Sequence, residues 1–455
     1  MPGLIGTPPT VDTSLRSQPP RDSALPEIFF AAVILPLVAI AIAEAHRSFL
    51  VSPGTDWNSS EWMIDYSAGF MRRGLGGTLL LHLLHATGWS FFAVLTSLTT
   101  AAFLALCGIA GWMSRRTRAP ALWRLALLLN PLLLVAAAEY GSFARKDILV
   151  LWGTVVNVAA SHWILQRNPS GSRQRLRLAL LALAVVLVLS VFLAGLHEGL
   201  FLFAWLPVNA AVAAYVLRRL YPNRNAGLAA LALAFTPGLA IIVASVLHHG
   251  GPGAAQTICR SWRFAFPVNC TPGPQFPKAI DALAWSMRRD VVGCLSFVWT
   301  AGHYYLFIFA LLAVLAVALL LVAMLVLAPA ARLEHLLTTT AVSFLFAIPL
   351  FILGTDWGRW LFLAATSSLI VMLSEPLRPA PYSLLPAPLQ RRVDRASRSA
   401  GARLAILRRI VERHPGFSLT LLLMLPLPPL PIASAMLLSN PLMIFLNFLG
   451  RLHGS

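Results

Sequence analysis

The ionisable residues of this 455-residue chain fall in short clusters whose make-up suggests phosphate and sugar chemistry. Residues 52–88 carry Asp56, Glu61, Asp65, Arg72 and Arg73; the stretch EYGSFARKD supplies Glu139, Arg145, Lys146 and Asp147. A bare HEG supplies His197 and Glu198, and GTDWGRW supplies Asp356, Trp357 and Arg359. A longer stretch, about 248–301, adds His248, His249, Arg260, Arg263, Lys278, Arg288 and Arg289. Carboxylates can serve as general bases or ligate a cation, and clustered Arg and Lys hold phosphate through charge-assisted hydrogen bonds. Trp57, Trp62, Trp357 and Trp360 stand next to these charges and offer flat faces to sugar rings, although interface anchoring is the plainer role of such tryptophans.

The elements that position these clusters are membrane helices. The chain is 58% hydrophobic and 11% charged, with a mean hydropathy of +0.75. Soluble domains carry about a quarter charged residues, so a soluble, disordered or disulfide-built protein is excluded. The expected fold is an all-α polytopic transmembrane bundle with juxtamembrane helices on the outer face. A helix needs about 20 apolar residues to cross. Such runs lie near 28–50, 89–112, 121–138, 148–165, 178–196, 200–217, 226–247, 302–328, 336–353, 360–374 and 417–437, about eleven spans. The Pro-rich residues 1–27 read as a disordered cytoplasmic tail and 28–450 as one transmembrane domain. Its outer loops are about 52–88, 139–147, 197–199, 248–301 and 354–359, with a basic cytoplasmic loop over 375–416. Four prolines between Pro426 and Pro431 break any regular helix there, leaving open whether 433–450 cross again.

The net charge of +18 is mostly a topology signal. The tail and the alternate loops (115–124, 167–177, 218–224, 332–334, 375–413) hold 23 of the 35 basic residues and 7 of the 17 acids. This places them and the N-terminus in the cytoplasm by the positive-inside rule. The chemistry-bearing clusters then share the outer side, as they would around one outward-open polar cavity. The basic run near 391–413 reads as a surface helix drawn to anionic lipid, and no nucleic-acid role is expected.

The stretch IDYSAGFMRRGLGG, shortly after the first span, resembles the first periplasmic loop of GT-C glycosyltransferases that use polyprenyl-phosphate sugars. The likeness covers about 40 residues plus the topology. In this chain the acids at 56, 61 and 65 are spread rather than adjacent. The resemblance implies transfer of a sugar from a polyprenyl-phosphate carrier to a glycan or other envelope acceptor, at the periplasmic face of a bacterial inner membrane. It puts the catalytic base at Asp65, with Asp56 second, and the donor phosphate on Arg72, Arg73, Arg145, Lys146 or Arg359. Glu139, Asp147, His197, Glu198, Asp356 and Trp357 would line the acceptor side. Asp147, Glu198 and Asp356 could ligate Mg²⁺ or Mn²⁺, or pair with the arginines instead. The loops also resemble polysaccharide polymerases of the Wzy class, which makes polymerisation the second reading.

Cys259 and Cys270 share one outer loop and can form a disulfide in an oxidising compartment, worth about 3 kcal/mol by loop closure. No P-loop, Rossmann fingerprint, HExxH or CxxC occurs. A secondary transporter or lipid-linked-sugar flippase is the alternative from another class. Transporters keep ionisable groups near the midplane, however, whereas these spans are nearly free of them.

Overall fold

The computed structural model describes residues 24–117, 120–138, 144–167, 169–221, 224–248, 250–300, 303–327, 332–374, 413–427 and 440–453, with 386–389, 391–392, 395 and 409. Residues 1–23 of the expected tail, Glu139, His249 and most of the basic loop lie outside them.

The described elements are all helical. In chain order, Leu25–Val51 (α1), Trp57–Trp62 (α2), Gly74–Thr87 (α3) and Phe91–Arg116 (α4) come first. Ala121–Leu128 (α5), Pro131–Ala138 (α6), Asp147–Gln166 (α7), Ser172–Leu196 (α8) and Glu198–Leu220 (α9) follow. Arg224–Leu247 (α10), Pro252–Ser261 (α11), Lys278–Asp281 (α12), Met287–Thr300 (α13) and His303–Leu327 (α14) come next. Arg332–Leu353 (α15), Trp357–Leu373 (α16), Pro415–Met424 (α17) and Pro441–His453 (α18) close the series.

Seven helices (α1, α4, α7, α8, α9, α10 and α14) are long and apolar enough to cross a membrane. The pair α5 and α6, bent by 51°, makes an eighth if it counts as one span. The break falls at Asn130-Pro131, where proline removes a backbone donor and Asn130 caps the second half through Leu132 N at 2.9 Å. The eleven expected runs compare with these seven or eight helices among the described residues. Run 336–353 falls on α15, of 22 residues, run 360–374 on the 17-residue α16, and the described part of 417–437 is helical to Met424, just before the prolines. Hydropathy does not separate a span from a core helix. Every residue from Gly358 to Leu373 in α16 is buried, because α6, α7 and α15 surround it.

Alternating direction brings the C-terminal ends of α1, α8, α10 and α15 together with the N-terminal ends of α4, α7, α9 and α16. This is the site end of the bundle. Arginines mark the opposite end, where Arg124 pairs with Glu27 at 2.9 Å. Arg116 and Arg167 there lie over the rings of Trp112 and Trp163 at 4.0 and 4.4 Å.

A cap covers the site end, built from α2, α3, α11 and α12 around Trp62, Met63, Ile64, Leu80, Trp262 and Ile280. Trp262 Nε1 donates to Met63 O at 2.6 Å and Ala279 N to Ser60 Oγ at 3.0 Å, tying the second extramembrane stretch onto the first. A disulfide joins Cys259 to Cys270. Gly77 lets α3 touch the backbone of the 62–64 turn. A Cβ there would stand 2.0 Å from Ile64 O, so any other residue pushes the helix away.

Candidate functional site

Side chains from five segments converge at the site end. Asp56 caps α2, accepting from Ser59 N at 2.9 Å, and this short helix presents Glu61 inward with no exposed surface. Arg73, the residue before α3, has φ of 63°, the one non-glycine residue in the left-handed region among those described. Such a conformation costs about 1 kcal/mol or more and persists where surrounding contacts impose it. Here Lys146 Nζ donates to Arg73 O at 2.6 Å while Arg73 Nε reaches Glu198 at 3.1 Å.

Glu61 is the hub. Its Oε2 accepts from Arg145 Nε at 2.9 Å, and its Oε1 lies 3.4 Å from His197 Nε2 and 3.9 Å from Arg73 Nη1. Arg145 Nη1 then donates to Asp356 Oδ2 at 2.6 Å. Arg359, on the first turn of the buried α16, lies 3.0 Å from that same oxygen and 2.8 Å from Asp147 Oδ2. Four carboxylates (Glu61, Asp147, Glu198, Asp356) thus meet four cations (Arg73, Arg145, Lys146, Arg359). This balance is what allows so many charges to be withdrawn from water.

The protonation states follow from the surroundings. Burial alone would raise the Glu61 carboxyl, but Arg145, Arg73 and Arg359 outweigh it and hold Glu61 well below the usual carboxylate range. Burial likewise opposes charge on Asp356, where Arg145 and Arg359 win and lower it. Burial opposes charge on Arg145 too, but Glu61, Asp356 and Asp147 raise it. At Lys146 burial prevails, aided by Arg73, and brings the ammonium down to about 8. Burial and Arg73 push His197 well below its ordinary value. A neutral ring fits its bonds: Nδ1 accepts from Leu200 N at 3.4 Å, capping α9, which assigns the proton to Nε2 facing Glu61.

Exposure gives the network an inside and an outside. The side chains of Glu61 and Asp147 are fully buried, whereas Asp356, Arg73 and Glu198 remain 30%, 21% and 15% exposed. Trp57 lies against Arg145, 5.8 Å from ring to guanidinium, and its ring centre is 6.1 Å from that of Trp285.

Of the residues singled out in the sequence, Arg73, Arg145, Lys146, Asp147, His197, Glu198, Asp356 and Arg359 assemble here. Asp65 does not join the ion pairs. It is fully buried, and its carboxylate accepts from Ser67 N at 2.7 Å and Ser261 Oγ at 2.8 Å. Asp56 is engaged as a helix cap, and Arg72 Nη2 donates to Ala282 O at 2.6 Å in the cap. Trp357 donates to Gly354 O and packs on Phe309 and Phe351, while Trp62 and Trp360 are buried, so none of the three offers a free face for stacking. Asp147, Glu198 and Asp356 each face an arginine. Among the described residues, no three His, Cys, Asp or Glu side chains are grouped to hold a metal ion. Sequence reasoning did not single out Glu61 as a site residue. The available signal was its position between Trp57 and Trp62, an acid in a short aromatic helix with no basic residue to pair with locally.

Fold and site together define a polytopic helical membrane protein with a charge-balanced centre at one end of its bundle. The chain belongs to the family described as uncharacterised membrane protein Rv1490, which matches residues 29–269. That segment carries Glu61, Arg73, Arg145, Lys146, Asp147, His197 and Glu198, whereas Asp356 and Arg359 lie beyond it. No curated protein and no solved structure was found to match the chain.

Proposed function

We propose that this protein is a membrane glycosyltransferase that moves a sugar from a polyprenyl-phosphate carrier to a glycan or other envelope acceptor. One observation carries the reading: arginines and two partly exposed carboxylates, Glu198 and Asp356, share a largely buried centre at one end of a helical bundle. A lipid-borne phosphate can reach such a place without leaving the bilayer. The arginine-rich opposite end supports a cytoplasmic N-terminus and a site on the periplasmic face of a bacterial inner membrane.

In this reading Arg145, Arg359 and Arg73 hold the donor phosphate. The acceptor hydroxyl attacks the anomeric carbon, forming the new C–O bond. The bond from that carbon to the phosphate oxygen breaks, and its electron pair leaves with the phosphate. Asp356, the most exposed carboxylate of the network, takes the hydroxyl proton. Trp57 stands beside Arg145 as a face for a sugar ring. Asp65, the base implied by the sequence resemblance, instead holds the cap together through Ser67 and Ser261. A polymerase would use the same chemistry repeatedly. The transporter reading has one observation in its favour, the bent pair α5 and α6, since discontinuous helices are common in transporters.

The test compares Asp356→Asn with Asp65→Asn, using a polyprenyl-phosphate sugar as donor and membranes containing the full chain. Asp356→Asn should lower turnover about 100-fold or more, in the range of general-base loss, and Asp65→Asn only in proportion to lost protein. Unchanged turnover in a stably inserted Asp356→Asn, or no lipid-linked sugar consumed by the wild type, overturns the proposal.

A further inference from the structure

Arg145 and Arg359 come from different elements, yet they are arranged alike. Each faces a buried acid through Nε: Arg145 donates to Glu61 Oε2 at 2.9 Å, and Arg359 lies 2.8 Å from Asp147 Oδ2 as an ion pair without an aligned hydrogen bond. Each turns Nη1 outward onto one atom, Asp356 Oδ2, at 2.6 and 3.0 Å. Two guanidiniums converging on a single oxygen are the donor arrangement that a phosphate oxygen fits.

The present occupant is hydrogen-bonded by one of the two guanidiniums, Arg145, and not by the other. Asp356 is the most exposed acid of the network and lies in the short turn between α15 and α16. Aspartate just before a helix ordinarily bonds that helix's first amides, but Asp356 makes no such capping bond to α16. Arg359 is 4% exposed, and its Nη1 makes no aligned hydrogen bond with any described residue, so a buried donor aimed at this spot is unfilled. The approach of Asp356 satisfies its charge but not its geometry.

We propose that Asp356 is a built-in stand-in for a ligand's oxyanion. A phosphate group displaces it from Arg145 and Arg359, and the released carboxylate turns back onto the N-terminus of α16. The seat itself rests on these residues alone. Its use by a lipid phosphate rests on the transferase reading above. Displacement would also free the carboxylate from both cations at the moment when a proton acceptor is needed beside the donor.

The experiment measures binding to the full chain in lipid nanodiscs, with inorganic phosphate in one arm and polyprenyl phosphate in the bilayer in the other. Asp356→Asn removes the competing charge and should bind phosphate about tenfold more tightly than the wild type. Asp356→Ser, which keeps a capping side chain, serves if the first variant fails to fold. Adding Arg359→Gln should abolish the gain, and Asp356→Glu should return binding to the wild-type level. A gain in the lipid arm alone assigns the seat to a lipid headgroup, and a gain in both arms assigns it to phosphate as such. Binding that is unchanged or weaker in folded Asp356→Asn, or a gain that survives Arg359→Gln, overturns the seat. If the gain appears while the wild type transfers no sugar, the seat stands and the transferase reading falls.

Discussion

At the residue scale, each carboxylate of the network faces an arginine, and this makes its hub sensitive. Glu61 faces Arg145, Arg73 and His197 with no exposed surface, so Glu61→Gln leaves Arg145 with Asp356 alone and Arg73 with Glu198 alone, and four cations then face three carboxylates. Breaking a buried pair in this way costs about 3–5 kcal/mol. Glu27 at the other end pairs with Arg124 while partly exposed, so Glu27→Gln should cost markedly less. Thermal unfolding in detergent compares the two, and equal losses would contradict the assignment of Glu61 as hub. Lys146 gives a second expectation. The folded protein releases its proton near 8, whereas an unfolded chain keeps it to 10.5. The unfolded state therefore binds the extra proton between those values, and stability rises with pH across that window by about 3 kcal/mol, lost again as pH falls through 8. Lys146→Met should lack this rise when unfolding is followed from pH 7.5 to 10.5.

At the element scale, close approach of backbone to backbone sets the geometry of the cap. Gly77→Ala would drive a methyl into Ile64 O and move α3, and with it Arg73 and the carbonyl that anchors Lys146. The expected cost is about 3 kcal/mol, at the upper end of ordinary overpacking. Gly108→Ala on α4 meets nothing within 4 Å and should be nearly neutral. Equal expression and unfolding temperature of the two variants would refute the close-packed cap. The glycines of RRGLGG were visible in the sequence as a helix of small residues. Their partner, the carbonyl of Ile64 thirteen positions earlier, was not, because the turn that brings it back depends on how α2 and α3 pack.

At the scale of the whole molecule, all residues of the network lie at one end of the bundle, so one topology must serve them all. Reporter fusions after residues 60, 145, 198 and 280 should read alike and opposite to fusions after 117 and 221. Any two that break this pattern would dismantle the shared site. If that end faces an oxidising compartment, a maleimide should label Cys259 and Cys270 only after reduction, read as added mass on the denatured chain. Labelling without reductant would place the cap in a reducing compartment.

Composition by itself determined that the chain is a polytopic helical membrane protein, because apolar runs of this length have no other stable solvent. Charge order along the chain grouped the clustered acids and bases at one end of the spans, since alternation is a property of loops in sequence. Cluster membership was largely legible for the same reason: hairpin turns that carry charge must put it at the ends of spans. The hub, the buried state of Asp65 and the seat shared by Arg145 and Arg359 were decided only in three dimensions. Which acid faces which base depends on the rotation of each helix and on the closure of two distant loops into one cap. The burial of α16 also came from packing, because an apolar stretch looks the same in sequence whether lipid or protein surrounds it.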